Sequence, residues 1–371
     1  MKLTLHLNHR CNLRCSYCYT GAKVDRRMDP ATMRKAIDFA LGHASQGWLL
    51  LSFFGGEPLL ELELMEAALA YARGRCAERG VRLYTSVATN GTLLDEPRLE
   101  LLRRNAFSVQ VSLDGGREAQ DANRRYVNGG SSYETVSENL KRLLQAGVST
   151  WVVSVIDPSN QSYLGDSFER LADLGVPHVT FAPNYQADWN PAARERFETA
   201  LEDLGNRYLA RARAGLDIRL DPLHGKIATH LSPGANERAV CKFGIGDIAV
   251  ASSGRLYPCE RLVREDDDEV VCIGDVDRGL DVKKRDALLA AKRVEDPGCD
   301  GCELKSRCSR WCGCSRYETT GDLSKVSPLL CWFEECFIAE ADRIGNTLYA
   351  EQNPVFLKRF YRASSAPAER A

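Results

Sequence analysis

The sequence predicts an α/β protein followed by a cysteine-rich region. Two observations carry this. Through the first 215 residues, short β-branched or apolar runs ending in Gly, Asn, Asp or Pro recur six times, and between them apolar residues repeat three and four apart. The 14 cysteines then cluster: three near the start, Cys76 alone, and ten between 241 and 336. A chain of 371 residues accommodates one large domain or two ordinary ones.

Strands are expected at 2–7, 48–54, 82–88, 108–113, 150–156 and 178–183, and helices at 29–44, 61–80 and 132–147. Six β/α units in series imply a parallel sheet, either open and doubly wound or curled into a partial barrel, with the site on loops at the strands' C-terminal ends. "NHRCNLRC", "GGEP", "ATNGT" and "SLDGG" all fall there. Residues 190–215 read as one amphipathic helix and 216–240 as a bridge. Hairpin-like pieces and tight cysteine spacings fill 241–345, with a helix at about 333–349. Residues 346–371 read as C-terminal helix and tail, with "SSAPAERA" frayed. The acidic run "EDDDE" (265–269) reads as a solvated loop and Cys76 as core packing.

With 44% hydrophobic and 27% charged residues and a net charge of −2, the chain has no basic surplus for a polyanion, so no nucleic-acid partner is expected. No apolar run is long enough to span a bilayer, and no signal-peptide pattern is present, so a cytoplasmic protein without membrane contact is expected. In that setting clustered cysteines point to metal or catalysis rather than disulfides.

Cys11, Cys15 and Cys18 form CxxxCxxC directly after the first strand. Structural zinc takes four protein ligands, and a cubane [4Fe–4S] cluster has four irons. Three thiolates leave one iron open for a bound molecule; on spacing alone the alternative is zinc with a distant fourth ligand such as His9. The loop, with Tyr17 before its third cysteine, resembles the radical S-adenosylmethionine (SAM) superfamily. "FGGEPLL" (54–60) resembles that family's glycine-rich segment, which implies that Gly55, Gly56 and Glu57, or a nearby carbonyl, meet the SAM ammonium. "VSLDGGREAQDANRRYVNGGSSYE" (111–134) resembles the fourth-strand segment, implying Ser112 at the ribose and Arg124, or Arg125, on the carboxylate. Asp114 is expected to cap the following turn. The resemblance implies a partial (β/α)6 TIM-like barrel in which a reduced cluster cleaves SAM to a 5′-deoxyadenosyl radical that abstracts a substrate hydrogen.

Cys241, Gly254 and Cys259, then Cys299, Cys302, Cys308 and Cys312, then Cys331, resemble the SPASM extension of such enzymes, which holds two auxiliary [4Fe–4S] clusters. The resemblance implies Cys299, Cys302, Cys308 and Cys331 on the distal cluster and Cys241, Cys259 and Cys312 on the nearer one, completed by Cys272, Cys314 or substrate, or left open. Zinc knuckles are the alternative. Glu260, where sulfatase-maturing relatives carry an aspartate base, is expected to be either a general base or a surface charge.

These resemblances imply a peptide-modifying radical SAM/SPASM enzyme with SAM and three [4Fe–4S] clusters. It would cross-link or otherwise oxidise a ribosomally made precursor, drawing electrons from a flavodoxin or ferredoxin. Formylglycine formation on a sulfatase, or small-molecule oxidation, is the alternative, ahead of a non-catalytic cluster or zinc scaffold. Because the chain starts at the first strand, leader recognition is expected to fall to the barrel, to residues 353–363 or to a separate protein.

Overall fold

The computed structural model describes residues 1–232 and 241–361; the expected tail and the end of the expected bridge lie outside them. In chain order the strands are β1 (Lys2–Asn8), β2 (Leu13–Cys15), β3 (Trp48–Gly55), β4 (Arg82–Thr89), β5 (Ser108–Ser112), β6 (Arg124–Tyr126), β7 (Ser149–Ile156), β8 (His178–Pro183), β9 (Arg219–Asp221), β10 (Asp247–Val250) and β11 (Leu256–Tyr257). The six expected strands are β1, β3, β4, β5, β7 and β8. The main helices are α1 (Pro30–Gly42), α2 (Leu62–Arg79), α3 (Glu96–Arg104), α4 (Tyr133–Gln145), α5 (Leu164–Asp173), α6 (Pro191–Arg213), α7 (Leu223–Leu231) and α8 (Pro328–Ala350).

Local signals set these boundaries. The Asp29 carboxylate accepts the N–H groups of Ala31 and Thr32, Pro30 opens α1, and Met33, Ala36, Ile37, Ala40 and Leu41 form its buried stripe. Gly80, at φ 63°, ends α2 in the left-handed cap. The last long helix begins at Pro328 rather than near 333, because Ser327 caps it by accepting from the Leu330 N–H.

The chain forms two compact units. The first comprises Met1–Ser112, Arg124–Thr150 and Cys241–Val294. Its sheet runs β11-β10-β1-β3-β4-β5, parallel except for the β10–β11 hairpin. The hairpin expected within 241–259 therefore extends this sheet, because β10 pairs in parallel with β1. Leu3, Leu5 and Leu7 are fully buried on one face of β1, and Thr4, His6 and Asn8 are buried on the other. The alternation in "KLTLHLN" thus marks two buried faces, apolar core and polar site, rather than core and water. Parallel pairing puts the ends of β1, β3, β4 and β5 at one edge of the sheet, with Asn8 opposite Gly55 and Thr89 opposite Val111.

The second unit comprises Leu113–Asn123, the described residues from Trp151 to 232, and those from Glu295 onward. It holds β7, β8 and β9 in parallel, with α5 packed on α6 and α8 against α6 and α7. Trp189, Phe197 and Phe333 form its aromatic centre, with edge-on contacts of 4.9 Å (Trp189–Phe333) and 5.1 Å (Phe197–Phe333). Among the described residues no helix is long and apolar enough to cross a membrane.

The acidic run 265–269 is not a solvated loop throughout. The Asp266 side chain is fully buried and accepts from the Tyr257 hydroxyl at 3.0 Å, while Glu265 accepts from the Ala22 N–H at 3.0 Å. Asp266→Ala strands the buried Tyr257 hydroxyl and is expected to cost about 1–3 kcal/mol in urea unfolding. Asp267→Ala, on the exposed neighbour, is expected to stay within about 0.5 kcal/mol.

Candidate active site

The three-cysteine loop leaves β1 at Asn8 and is pinned where β2 pairs antiparallel with β6, Cys15 opposite Arg124 and Arg14 opposite Arg125. None of the 14 cysteines is in a disulfide. Among the described residues no group of three His, Cys, Asp or Glu side chains is arranged to hold a metal ion by itself. Each loop sulfur is instead met by hydrogen-bond donors. The Leu13 N–H and the Asn90 Nδ2 amide approach Cys11 Sγ at 3.4 and 3.6 Å. Arg124 Nη1 lies 3.7 Å from Cys15 Sγ, and Lys23 Nζ lies 2.9 Å from Cys18 Sγ. Burial by itself raises the Cys18 thiol, but Lys23 and the Thr20 hydroxyl outweigh it and hold the group below its ordinary value. Cys11 is pushed up, chiefly by burial and then by the Glu57 carboxylate. Donors aimed at sulfur suit thiolate ligands, so these residues fit a [4Fe–4S] cluster.

The glycines of "GGEP" serve the cysteine loop. A Cβ on Gly55, at φ 130°, would stand 2.4 Å from the Asn8 carbonyl oxygen; one on Gly56 would stand 2.0 Å from that of Arg10. Without side chains, Gly56 N–H donates to Asn8 O at 2.9 Å and Glu57 N–H to Arg10 O at 2.8 Å. The Glu57 carboxylate turns inward, wholly buried. Oε1 accepts from Leu59 N–H at 3.0 Å and from Thr89 Oγ1 at 2.8 Å, and Oε2 accepts from Asn90 N–H at 2.7 Å. Burial raises its pKa, with those donors and Arg98 opposing. Asn90 completes the link by donating to Asn12 Oδ1 at 2.9 Å, while its own Oδ1 accepts from Thr92.

Other candidates fall as follows. Ser112 ends β5 at the same edge. Arg124 is 8% exposed, with its guanidinium 5.5 Å over the Tyr17 ring; Arg125 points outward and donates to Gly129 O. Asp114 Oδ1 accepts from Val155 N–H at 3.0 Å. Glu260 is neither free nor simply solvated, because both carboxylate oxygens accept from Lys2 Nζ at 3.1 Å. That pairing raises Lys2 despite burial, which alone lowers it. His9 Nε2 is buried without a hydrogen-bond partner, and burial, then the Arg26 charge, lowers its pKa.

Cys241 and Cys259 belong to the first unit, where Cys259 is an electrostatic neighbour of Lys2 and Cys272 Sγ lies 3.4 Å from Gly274 O. In the second unit Cys331 has Cys299 and Cys302 among its electrostatic neighbours, and Cys308 has Cys331. Burial, then Glu334, pushes Cys308 up to about 12. Cys312 immediately precedes the helix Gly313–Thr320 and accepts from Ser315 Oγ at 3.2 Å, and Cys314 is buried. Sequence reasoning missed Lys23, Asn12 and Lys2, whose roles depend on contacts no local pattern encodes.

Gly56→Ala is expected to displace the cysteine loop and to leave the reconstituted protein with about four fewer iron atoms per chain, measured by iron assay. Gly42→Ala, where a Cβ meets nothing within 4 Å, is expected to retain full iron.

Residues 5–171 match the Radical SAM superfamily. The chain is 26% identical over 345 residues to PqqA peptide cyclase of Gluconobacter oxydans, covering 89% of this chain and 90% of that protein. It is 27% identical over 267 residues to a serine-type anaerobic sulfatase-maturating enzyme of Klebsiella aerogenes, covering 68% of this chain and 64% of that one. It thus spans less than two thirds of that relative, as it does of an uncharacterized Methanocaldococcus jannaschii protein (31% identity over 179 residues; 48% of this chain, 61% of that protein). The solved structure of native anSMEcpe with bound AdoMet shares the fold, with a TM-score of 0.78 at 20% identity over 94% of this chain and 99% of that one. Residues 5–171, which open on the loop of Cys11, Cys15 and Cys18, thus carry a radical SAM domain.

Proposed function

We propose that this radical SAM enzyme oxidatively modifies a peptide, forming a cross-link or another C–H functionalisation, and that its later cysteines carry two auxiliary [4Fe–4S] clusters. One observation carries the reading: three sulfurs on one loop, each met by a donor, beside a buried arginine and the glycine turn at a single sheet edge. When bound, the cluster supplies the one-electron reduction of SAM that generates a hydrogen-abstracting radical.

The residues divide the remaining work. Cys11, Cys15 and Cys18 hold three irons and leave the fourth to SAM. Arg124, already turned toward Cys15, pairs with the SAM carboxylate. Because three acceptor positions of the Glu57 carboxylate are already taken by its own chain, backbone carbonyls around Gly55–Glu57 accept from the SAM ammonium. Ser112 meets the ribose. Glu260, held by Lys2, stands ready to take a substrate proton. In this reading Cys299, Cys302, Cys308 and Cys331 ligate the distal cluster and Cys241, Cys259 and Cys312 the nearer one, as their spacing along the chain implies. Alignment with a peptide cyclase along nearly both whole chains supports a peptide substrate, and the likeness to a sulfatase-maturating enzyme supports formylglycine formation as the second reading. A flavodoxin- or ferredoxin-like donor supplies the electron in either case.

Anaerobic reconstitution is expected to give about 12 iron atoms per chain, and about 8 in the Cys11/Cys15/Cys18→Ala variant, which no longer cleaves SAM. About 4 irons with zinc would refute the auxiliary clusters. By calorimetry, Arg124→Ala is expected to weaken SAM binding about 10- to 100-fold, as loss of a charged hydrogen bond implies, and Arg125→Ala less than about twofold. Mass spectrometry of precursor-like and sulfatase-derived peptides then separates the two substrates.

A further inference from the structure

We propose that Lys23 is a positioning residue that makes the SAM-binding [4Fe–4S] cluster easier to reduce by donating a charged hydrogen bond to Cys18; this rests on the reading of Cys11, Cys15 and Cys18 as that cluster's ligands. Lys23 is half-buried and folds back over its own loop. Its ammonium lies 2.9 Å from Cys18 Sγ and is aimed there by Thr20 Oγ1 and by Gly21 O at 3.0 Å. Thr20 Oγ1 is itself 3.3 Å from the same sulfur. Among the described residues Lys23 forms no ion pair with a carboxylate, so the sulfur is the anionic partner of its charge.

The three sulfurs are therefore unequal. Cys11 meets two neutral donors at 3.4 and 3.6 Å, and Cys15 meets a guanidinium at 3.7 Å. Cys18 has the Lys23 ammonium at hydrogen-bond distance. Taking one electron from an external one-electron donor raises the negative charge of the cluster and its three thiolates from one to two. That donor is oxidised, and no bond is made or broken. A cation in contact with a ligand sulfur stabilises the more negative state, and hydrogen bonds to sulfur together with net charge set cluster potentials. A lysine that merely clasped the loop would leave the potential unchanged.

The test is an EPR-monitored redox titration of reconstituted wild type, Lys23→Gln and Lys23→Arg, using dithionite and following the signal that changes on adding SAM. That response selects this cluster over any other. Lys23→Gln keeps a donor without charge and is expected to lower the reduced-to-oxidised ratio about tenfold at the wild-type midpoint, about 59 mV for one electron. Lys23→Arg keeps the charge and is expected to stay within about twofold, with equal iron in all three proteins. An unshifted Lys23→Gln, or an equal shift in Lys23→Arg, overturns the inference. Iron lost from Lys23→Gln alone overturns it in favour of cluster assembly. A wild-type signal indifferent to SAM would instead overturn the underlying assignment of the loop, and the inference with it.

Discussion

The buried Glu57 carboxylate is the constraint on which the site depends. A carboxylate removed from water is costly unless its lone pairs are used, and here three donors use them: the Leu59 and Asn90 N–H groups and the Thr89 hydroxyl. Those donors belong to the turn after β3 and the end of β4, so one side chain fastens two strand ends. The Glu57 backbone N–H reaches Arg10 O and its carbonyl accepts from Asn8 Nδ2, which adds the end of β1. Asn90 carries the linkage to Cys11 and Asn12. The loop that presents three sulfurs is thereby held by hydrogen bonds from two neighbouring strands, which a radical-generating site needs if a small molecule is to sit in one orientation.

Donors face the sulfurs of this loop, although burial, and with it the Glu57 carboxylate, still pushes the Cys11 thiol up. The groups nearest the sulfurs are an amide, a guanidinium and an ammonium, whereas Glu57 spends its negative charge inward and Glu265 and Asp266 engage Ala22 and Tyr257. Glu260, the other carboxylate of interest, is neutralised by Lys2 from the start of β1. A partly exposed ion pair that engages both carboxylate oxygens fixes the Glu260 side chain in one orientation.

Much of this was legible in the sequence. The six strands and the long helices announce themselves through periodicity and caps, and the cysteine spacing with the following glycines marks the site. The glycine pair was readable as a demand for space but not as to what fills it; that is the backbone of Asn8 and Arg10, brought close by the pairing of β1 with β3. The choice between Arg124 and Arg125 turns on alternation along a three-residue strand, too short to leave a periodic trace. Lys2 with Glu260 and Asp266 with Tyr257 are contacts made by tertiary packing, and an acidic run reads as solvated until one member is seen beneath a tyrosine. Lys23 was invisible for a simpler reason: a loop lysine ordinarily points to water.

The most direct test of this account is hydrogen exchange on Glu57→Gln. The amide keeps the size of the side chain but replaces one acceptor oxygen by an NH2 group, which in either orientation faces an N–H donor. The account predicts about tenfold faster exchange, together, at Leu59, Asn90 and the loop amides from His9 to Cys15, as a loss of about 1.4 kcal/mol implies, with the rest of the sheet unchanged. Faster exchange confined to residues 57–60, with the cysteine loop as protected as before, would contradict it.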